Sequence, residues 1–191
     1  MTELGQIHNI TSIVSSYSLE NMVETGCYEG DGIQTALDLG IQRVWSCDIS
    51  ERYVTHCKKR FQGQPVTILL GLSTDVLPSI CSSVEGPTLF WLDAHLPSYY
   101  GITGTDEKHK MPVVQELNII REYKRGIDKD VIIVDDTRII ASADNPRFSR
   151  GECLPEHLVT DVTLSEIQGV MKGTHRVEHY MNYQGYLLFT P

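Results

Sequence analysis

At 191 residues and 41% hydrophobic, the chain is long enough for one domain with a full core and too short for two comfortable ones. Its net charge of −9 argues against a non-specific grip on nucleic acid, which needs a cationic face, and no apolar run approaches the length of a membrane span. The five cysteines (Cys27, Cys47, Cys57, Cys81, Cys153) form no CxxC pair. Without an apolar leader in the sequence, they read as reduced thiols of an intracellular, cytoplasmic protein rather than a disulfide frame or zinc site.

Residues 2–17 carry Leu4, Ile7, Ile10, Ile13 and Val14 at helical spacing. This predicts an amphipathic helix outside a sheet, with pairing of its apolar face to a second copy left open. Strands and helices then alternate. From Asn21, an apolar start runs through Glu24 into Gly26, Gly30 and Gly32, the pattern of a buried strand turning sharply into a helix. A helix is predicted over 33–39, a strand over 43–48 ending on Asp48, and a helix capped by Ser50-Glu51 that reaches Phe61. On that helix His56, Lys58, Lys59 and Arg60 read as a solvated face. Residues 66–70 read as a third strand; Ser73 or Thr74 caps a brief helix containing Val76 and Leu77. Strand four spans 87–92, a helix 113–123, and strand five 131–134. The nearly continuous apolar runs of strands one, four and five mark a parallel sheet covered on both faces.

Two segments break this rhythm. Residues 96–112 and 142–163 are longer than routine connections and read as active-site lids or binding loops. After a helix near 164–171, two strands at 175–181 and 186–189 joined without a helix must be antiparallel. The fold expected is an α/β, doubly wound, Rossmann-like sheet, mostly parallel, with a C-terminal antiparallel pair, in a single domain over 1–191.

The turn Glu24-Thr25-Gly26-Cys27-Tyr28-Glu29-Gly30, the acid Asp48 at the end of strand two, the segment from Gly71 to Pro78 and the closing antiparallel pair together resemble class I S-adenosylmethionine-dependent methyltransferases. More narrowly they look like the catechol-type and sugar-modifying, magnesium-dependent O-methyltransferases. The resemblance covers most of residues 22–137 and, loosely, the tail. It implies that Gly26 and Tyr28 line the methionine portion of the cofactor and that Glu24 meets its ammonium directly or through water. Asp48 would accept both ribose hydroxyls, and Ser73 would sit at the adenine, with a helix N-cap as its competing role.

The expected chemistry rests on acids at strand ends. Asp93 should emerge beyond Phe90-Trp91-Leu92, beside the cofactor, and Asp135 and Asp136 beyond Ile132-Ile133-Val134. Three carboxylates in one crevice repel unless a cation or protons intervene, and oxygen ligands open to water favour Mg²⁺ or another divalent ion. Such an ion would lower the pKa of an acceptor hydroxyl and hold it in line with the methyl group. The family usually has Asn where Asp136 stands. It also has a Lys after the strand-four acid, absent here, which directs the base role to His95 and makes a sugar or natural product a better expected acceptor than a catechol. Capping of a turn is the competing role for Asp135 and Asp136, and orientation of Asp93 that for His95.

Two other readings compete. Thr25 to Gly32 also fits the TGxxxGxG turn of short-chain NAD(P) oxidoreductases, but no Tyr in the chain has Lys four positions on, as their YxxxK requires. A non-catalytic S-adenosylmethionine-binding domain is the third, against which stand the cofactor acids and the acid trio together. The segment after strand four lacks the (D/N)PP(Y/F/W) of base methylation, and His175 and His179, on a predicted strand, should lie too far apart to share a metal.

Overall fold

Side chains alternate across each central strand, so a strand that is apolar throughout needs cover on both faces. The computed structural model, which describes residues 3–95, 111–140, 160–181 and 184–191, meets that need with one seven-stranded sheet. Strands β1 (Asn21–Thr25), β2 (Arg43–Asp48), β3 (Val66–Leu70), β4 (Thr88–Leu92), β5 (Val131–Val134), β6 (Arg176–Tyr180) and β7 (Tyr186–Thr190) lie in the order β3-β2-β1-β4-β5-β7-β6. The first five are mutually parallel, and β7 runs antiparallel to both β5 and β6, as expected.

The core divides by strand parity. Leu89 and Trp91 of β4, with Val131 and Ile133 of β5, join a cluster beneath α1 (Glu3–Gln6), α2 (Ile10–Ser16), α3 (Asp31–Asp38) and α4 (Glu51–Arg60). Phe90, Leu92, Ile132 and Val134 face the other way, onto α5 (Ser73–Ser83), α6 (Val113–Tyr123) and α7 (Leu164–Val170). At the edge of the sheet opposite the strands' carboxyl ends, the buried Lys124 Nζ lies 3.3 Å from Asp130 Oδ2. Asp130 Oδ1 in turn accepts the Thr88 N–H, so one ion pair ties α6 to the starts of β4 and β5.

Three details differ from expectation. The N-terminal helix is two short ones, broken where Asn9 takes a left-handed φ of 57° and His8 donates its N–H to the Tyr186 hydroxyl. Leu4, Ile7, Ile10 and Val14 are buried in the chain's own core, as an amphipathic segment packed outside the sheet requires. Helix α5 is eleven residues rather than brief, and its N-cap is Leu72; Ser73 is the first helical residue, not the cap. Residues 96–110 and 141–159, with most of both expected lids, lie outside the described residues. No helix among the described residues is long and apolar enough to cross a membrane, and Cys27, Cys47, Cys57 and Cys81 are free and buried.

Candidate active site

The crevice at the carboxyl ends of β1, β2 and β4 is built round the turn after Thr25. Gly26 takes φ +84°, and its N–H and that of Cys27 both donate to the Cys47 carbonyl, at 2.9 and 3.0 Å. A Cβ on Gly26 would lie 2.9 Å from the Asp93 carbonyl oxygen and 3.3 Å from Ala94 Cα. The close approach that demands glycine is therefore made by the chain's own backbone beyond β4. Thr25 completes the junction, its side-chain oxygen accepting the N–H groups of Asp93 and Ala94 at 3.2 and 3.3 Å.

Glu24 points beneath this turn. Its Oε2 accepts the Ser46 hydroxyl at 2.6 Å, and its Oε1 occupies the space a Cβ on Gly32 would need. Burial pushes its carboxyl up to about 8, the Ser46 hydrogen bond opposing and the nearby Cys57 and Asp48 adding to the rise. The side chain expected at a cofactor ammonium is thus a neutral, inward-facing brace at pH 7 in the ligand-free chain.

Asp48 behaves differently. Its Oδ2 accepts the Tyr28 N–H at 3.0 Å and its Oδ1 the Ser50 N–H at 2.8 Å, so the end of β2 is clamped to the glycine turn. Burial raises its pKa, and those two backbone donors work against the rise. The Tyr28 ring stands half exposed against Tyr53, with centroids 4.7 Å apart, and Arg52 lies over the far ring at 5.3 Å. Ser73 is buried at the head of α5, where with Thr25 it faces Glu116 of α6. Glu116 is 1% exposed; burial pushes it up to about 7 while Ser73, Thr25 and His95 pull it down.

The acids of β4 and β5 do come together. The Asp135 N–H donates to the Leu92 carbonyl at 3.1 Å, extending the β4–β5 ladder by one residue. The His95 ring lies between them, its Nδ1 3.4 Å from Asp93 Oδ1 and its Nε2 3.2 Å from Asp136 Oδ2. Arg138 closes the other side of Asp136, Nε to Oδ1 at 2.6 Å and Nη2 to Oδ2 at 3.3 Å. Burial alone would lower the His95 pKa, but the hydrogen bond to Asp136 and the charges of Asp93, Asp136 and Asp135 lift it to about 9. The expected base is therefore already protonated at pH 7, and Asp136 is held below the usual carboxylate range despite burial, by His95 and Arg138.

This arrangement does not fit the expected Mg²⁺ on Asp93, Asp135 and Asp136. Both oxygens of Asp136 already face N–H donors, the space between Asp93 and Asp136 holds an imidazole, and no group of three His, Cys, Asp or Glu among the described residues is placed to hold a metal. Histidines 175 and 179 have separate tasks, Nε2 of the first 3.1 Å from the Asp130 carbonyl and Nε2 of the second 2.9 Å from Thr137 Oγ1.

Two participants escaped the sequence reading. Glu116 stands three residues after Val113 and four before Ile120, so it is an acid on the buried stripe of its helix, and that misplacement was the available signal. Arg138, two residues past the acid pair, carried no such signal.

No protein-family model matches the chain, and no curated protein does. Solved structures do. The SAH-bound methyltransferase PaMTH1 of Podospora anserina superposes with a TM-score of 0.61 at 10% identity, over 94% of this chain and 75% of that one. An O-methyltransferase of Bacillus cereus in complex with SAH gives 0.55 at 14% identity, over 95% and 78%. DesVI of Streptomyces venezuelae gives 0.57 at 13% identity, over 96% and 89%. At these identities the likeness is one of fold: the chain has the Rossmann-like fold of the methyltransferases, with its antiparallel C-terminal pair.

Proposed function

We propose that this chain is an S-adenosylmethionine-dependent methyltransferase that methylates an oxygen of a small molecule, with a sugar or natural product preferred. One observation carries the cofactor assignment. Asp48 ends β2 beside the Gly26 turn, its Oδ2 accepting the Tyr28 N–H and its Oδ1 the Ser50 N–H, with Cys27 a further donor to the carboxylate. An ionised carboxylate accepts through both oxygens, and at this strand end it is the acceptor that a pair of ribose hydroxyls would need. The residues present fit the cofactor. Tyr28 offers an exposed ring beside Asp48, Ser73 lies at the head of α5, and Gly26 and Asp93 meet at the floor of the crevice. Glu24 supports the turn from below through its hydrogen bond with Ser46.

The cofactor, held by Asp48, Tyr28 and the Gly26 turn, would supply an activated methyl group for an acceptor oxygen, with the thioether as leaving group. The chain's part is to hold the acceptor in line and to take its proton. Asp93, more exposed than His95 (21% against 11%), would accept that proton, with the His95 ring 3.4 Å from its carboxylate to orient it. The relatives whose names include O-methyltransferase support oxygen as the target, and β7 lying antiparallel to β5 favours this reading over an NAD(P) oxidoreductase with a fully parallel sheet.

Calorimetry with S-adenosylhomocysteine tests the assignment. One site per chain is expected, with affinity lost in Asp48→Ala and kept in Arg52→Ala. No binding by the parent chain would remove the reading.

A further inference from the structure

We propose that His95, between Asp93 and Asp136, and Arg138, on the other side of Asp136, are built-in counter-cations of the acid trio, so that this crevice works without binding a divalent ion. The inference rests on the methyltransferase reading only for what the crevice does; its charge balance stands on geometry alone. Asp93, Asp135 and Asp136 meet where β4 and β5 end, and ionised carboxylates so placed need positive charge between them. Ionised carboxylates only accept hydrogen bonds, so an imidazole with one nitrogen toward each of two of them is fully used as a donor and has no lone pair for a metal. Arg138 is a permanent cation that never serves as a ligand, and its fork lies on both oxygens of Asp136.

The placement of Arg138 is built rather than incidental. Asp136 adopts φ +53°, in the left-handed region that Asp enters more readily than most residues, at the start of the short 3-10 turn Thr137–Ile139 that carries Arg138. The next two residues are then pinned to the β6–β7 turn: the Thr137 N–H donates to the Gly185 carbonyl at 3.0 Å and the Arg138 N–H to that of Gln184 at 3.2 Å. Thr137 and Ile139 on either side are fully buried. The Arg138 backbone is thus held at the hairpin, and its guanidinium lies on Asp136 through two contacts, at 2.6 and 3.3 Å.

Mn²⁺ titration followed by electron paramagnetic resonance reads this without any acceptor. The parent chain should take up no Mn²⁺ to about 1 mM, a concentration that fills even weak oxygen sites. Arg138→Met combined with His95→Asn should gain one site per chain, and Arg138→Met alone a weaker one. S-adenosylhomocysteine binding by the same samples shows that they are folded. One Mn²⁺ per parent chain, lost in Asp136→Asn, would overturn the proposal, as would failure of both variants to gain a site while they still bind S-adenosylhomocysteine. If the parent chain binds no S-adenosylhomocysteine, the methyltransferase reading falls, and the Mn²⁺ comparison still decides the charge balance, with a parent-like cooperative melting transition showing that the variants are folded.

Discussion

Asp48 accepts the backbone N–H of Tyr28 at 3.0 Å, and Tyr28 presents that N–H by holding φ at 41°, in the left-handed region. A non-glycine residue there costs about 1–2 kcal/mol, so the carboxylate and the strained turn depend on one another. Asp48→Ala removes the acceptor for both Tyr28 and Ser50. Each hydrogen bond to a charged group is worth roughly 1.5–3 kcal/mol. S-adenosylhomocysteine affinity should therefore fall by about 100-fold or more. Asp48→Asn, which keeps one good acceptor, should fall between the two; calorimetry of the three proteins gives the order.

Gly26 and Gly40 make a matched pair. Both hold positive φ, +84° and +87°, but a Cβ on Gly26 would strike the Asp93 carbonyl, whereas one on Gly40 would meet nothing within 4 Å. Gly40→Ala should show only the backbone cost, about 1–2 kcal/mol, a Tm loss of roughly 2–8 °C for a chain of this size. Gly26→Ala should lose about twice that and also weaken cofactor binding, because the β1 and β4 ends must part. Equal melting temperatures would show that the Asp93 contact is not tight.

How much of the fold and site was legible depends on whether the signal was local. The bounds of β2, β3, α6 and β5 agree with the sequence reading because periodicity and turn residues act within a few positions. The break at Asn9 was not legible, since its cause includes a hydrogen bond to Tyr186, 178 residues away. The acids of the crevice could be read because a buried apolar strand delivers the residues just past its carboxyl end to the sheet's edge. The cations beside those acids could not: His95 was visible as a residue but not as a bridge, and Arg138 lies against Asp136 where the distant β6–β7 turn holds its backbone. The Mg²⁺ expectation rested on repulsion among carboxylates, which shows that a cation is needed without showing which.

Glu116 tests whether the buried stripe of α6 carries function. Its carboxyl faces Ser73 and Thr25, and Thr25 in turn holds the Asp93 and Ala94 amides. Glu116→Gln keeps an acceptor in place and should leave the melting temperature near that of the parent at pH 7. Glu116→Leu leaves buried hydroxyls without it, at about 1–3 kcal/mol, and should also weaken S-adenosylhomocysteine binding as the Thr25 junction loosens. Melting curves and calorimetry on the same samples separate the two effects.

Glu24 sets a pH dependence whose direction comes from its burial. Its carboxyl titrates at an ordinary 4.5 in the unfolded chain and at about 8 in the folded one, where the desolvating core, Cys57 and Asp48 oppose its charge and the Ser46 hydroxyl favours it. Between those values the folded chain holds a proton that the unfolded chain has lost, so stability falls as pH rises from about 5 to 8. Glu24→Gln removes the titration while keeping an acceptor for Ser46. Melting temperatures of parent and variant should be close at pH 5, and by pH 8 the variant should be the more stable, by on the order of a few kcal/mol. A gap that stays constant from pH 5 to 8 would show that Glu24 ionises freely in the folded chain, and its carboxylate would again be available to a cofactor ammonium.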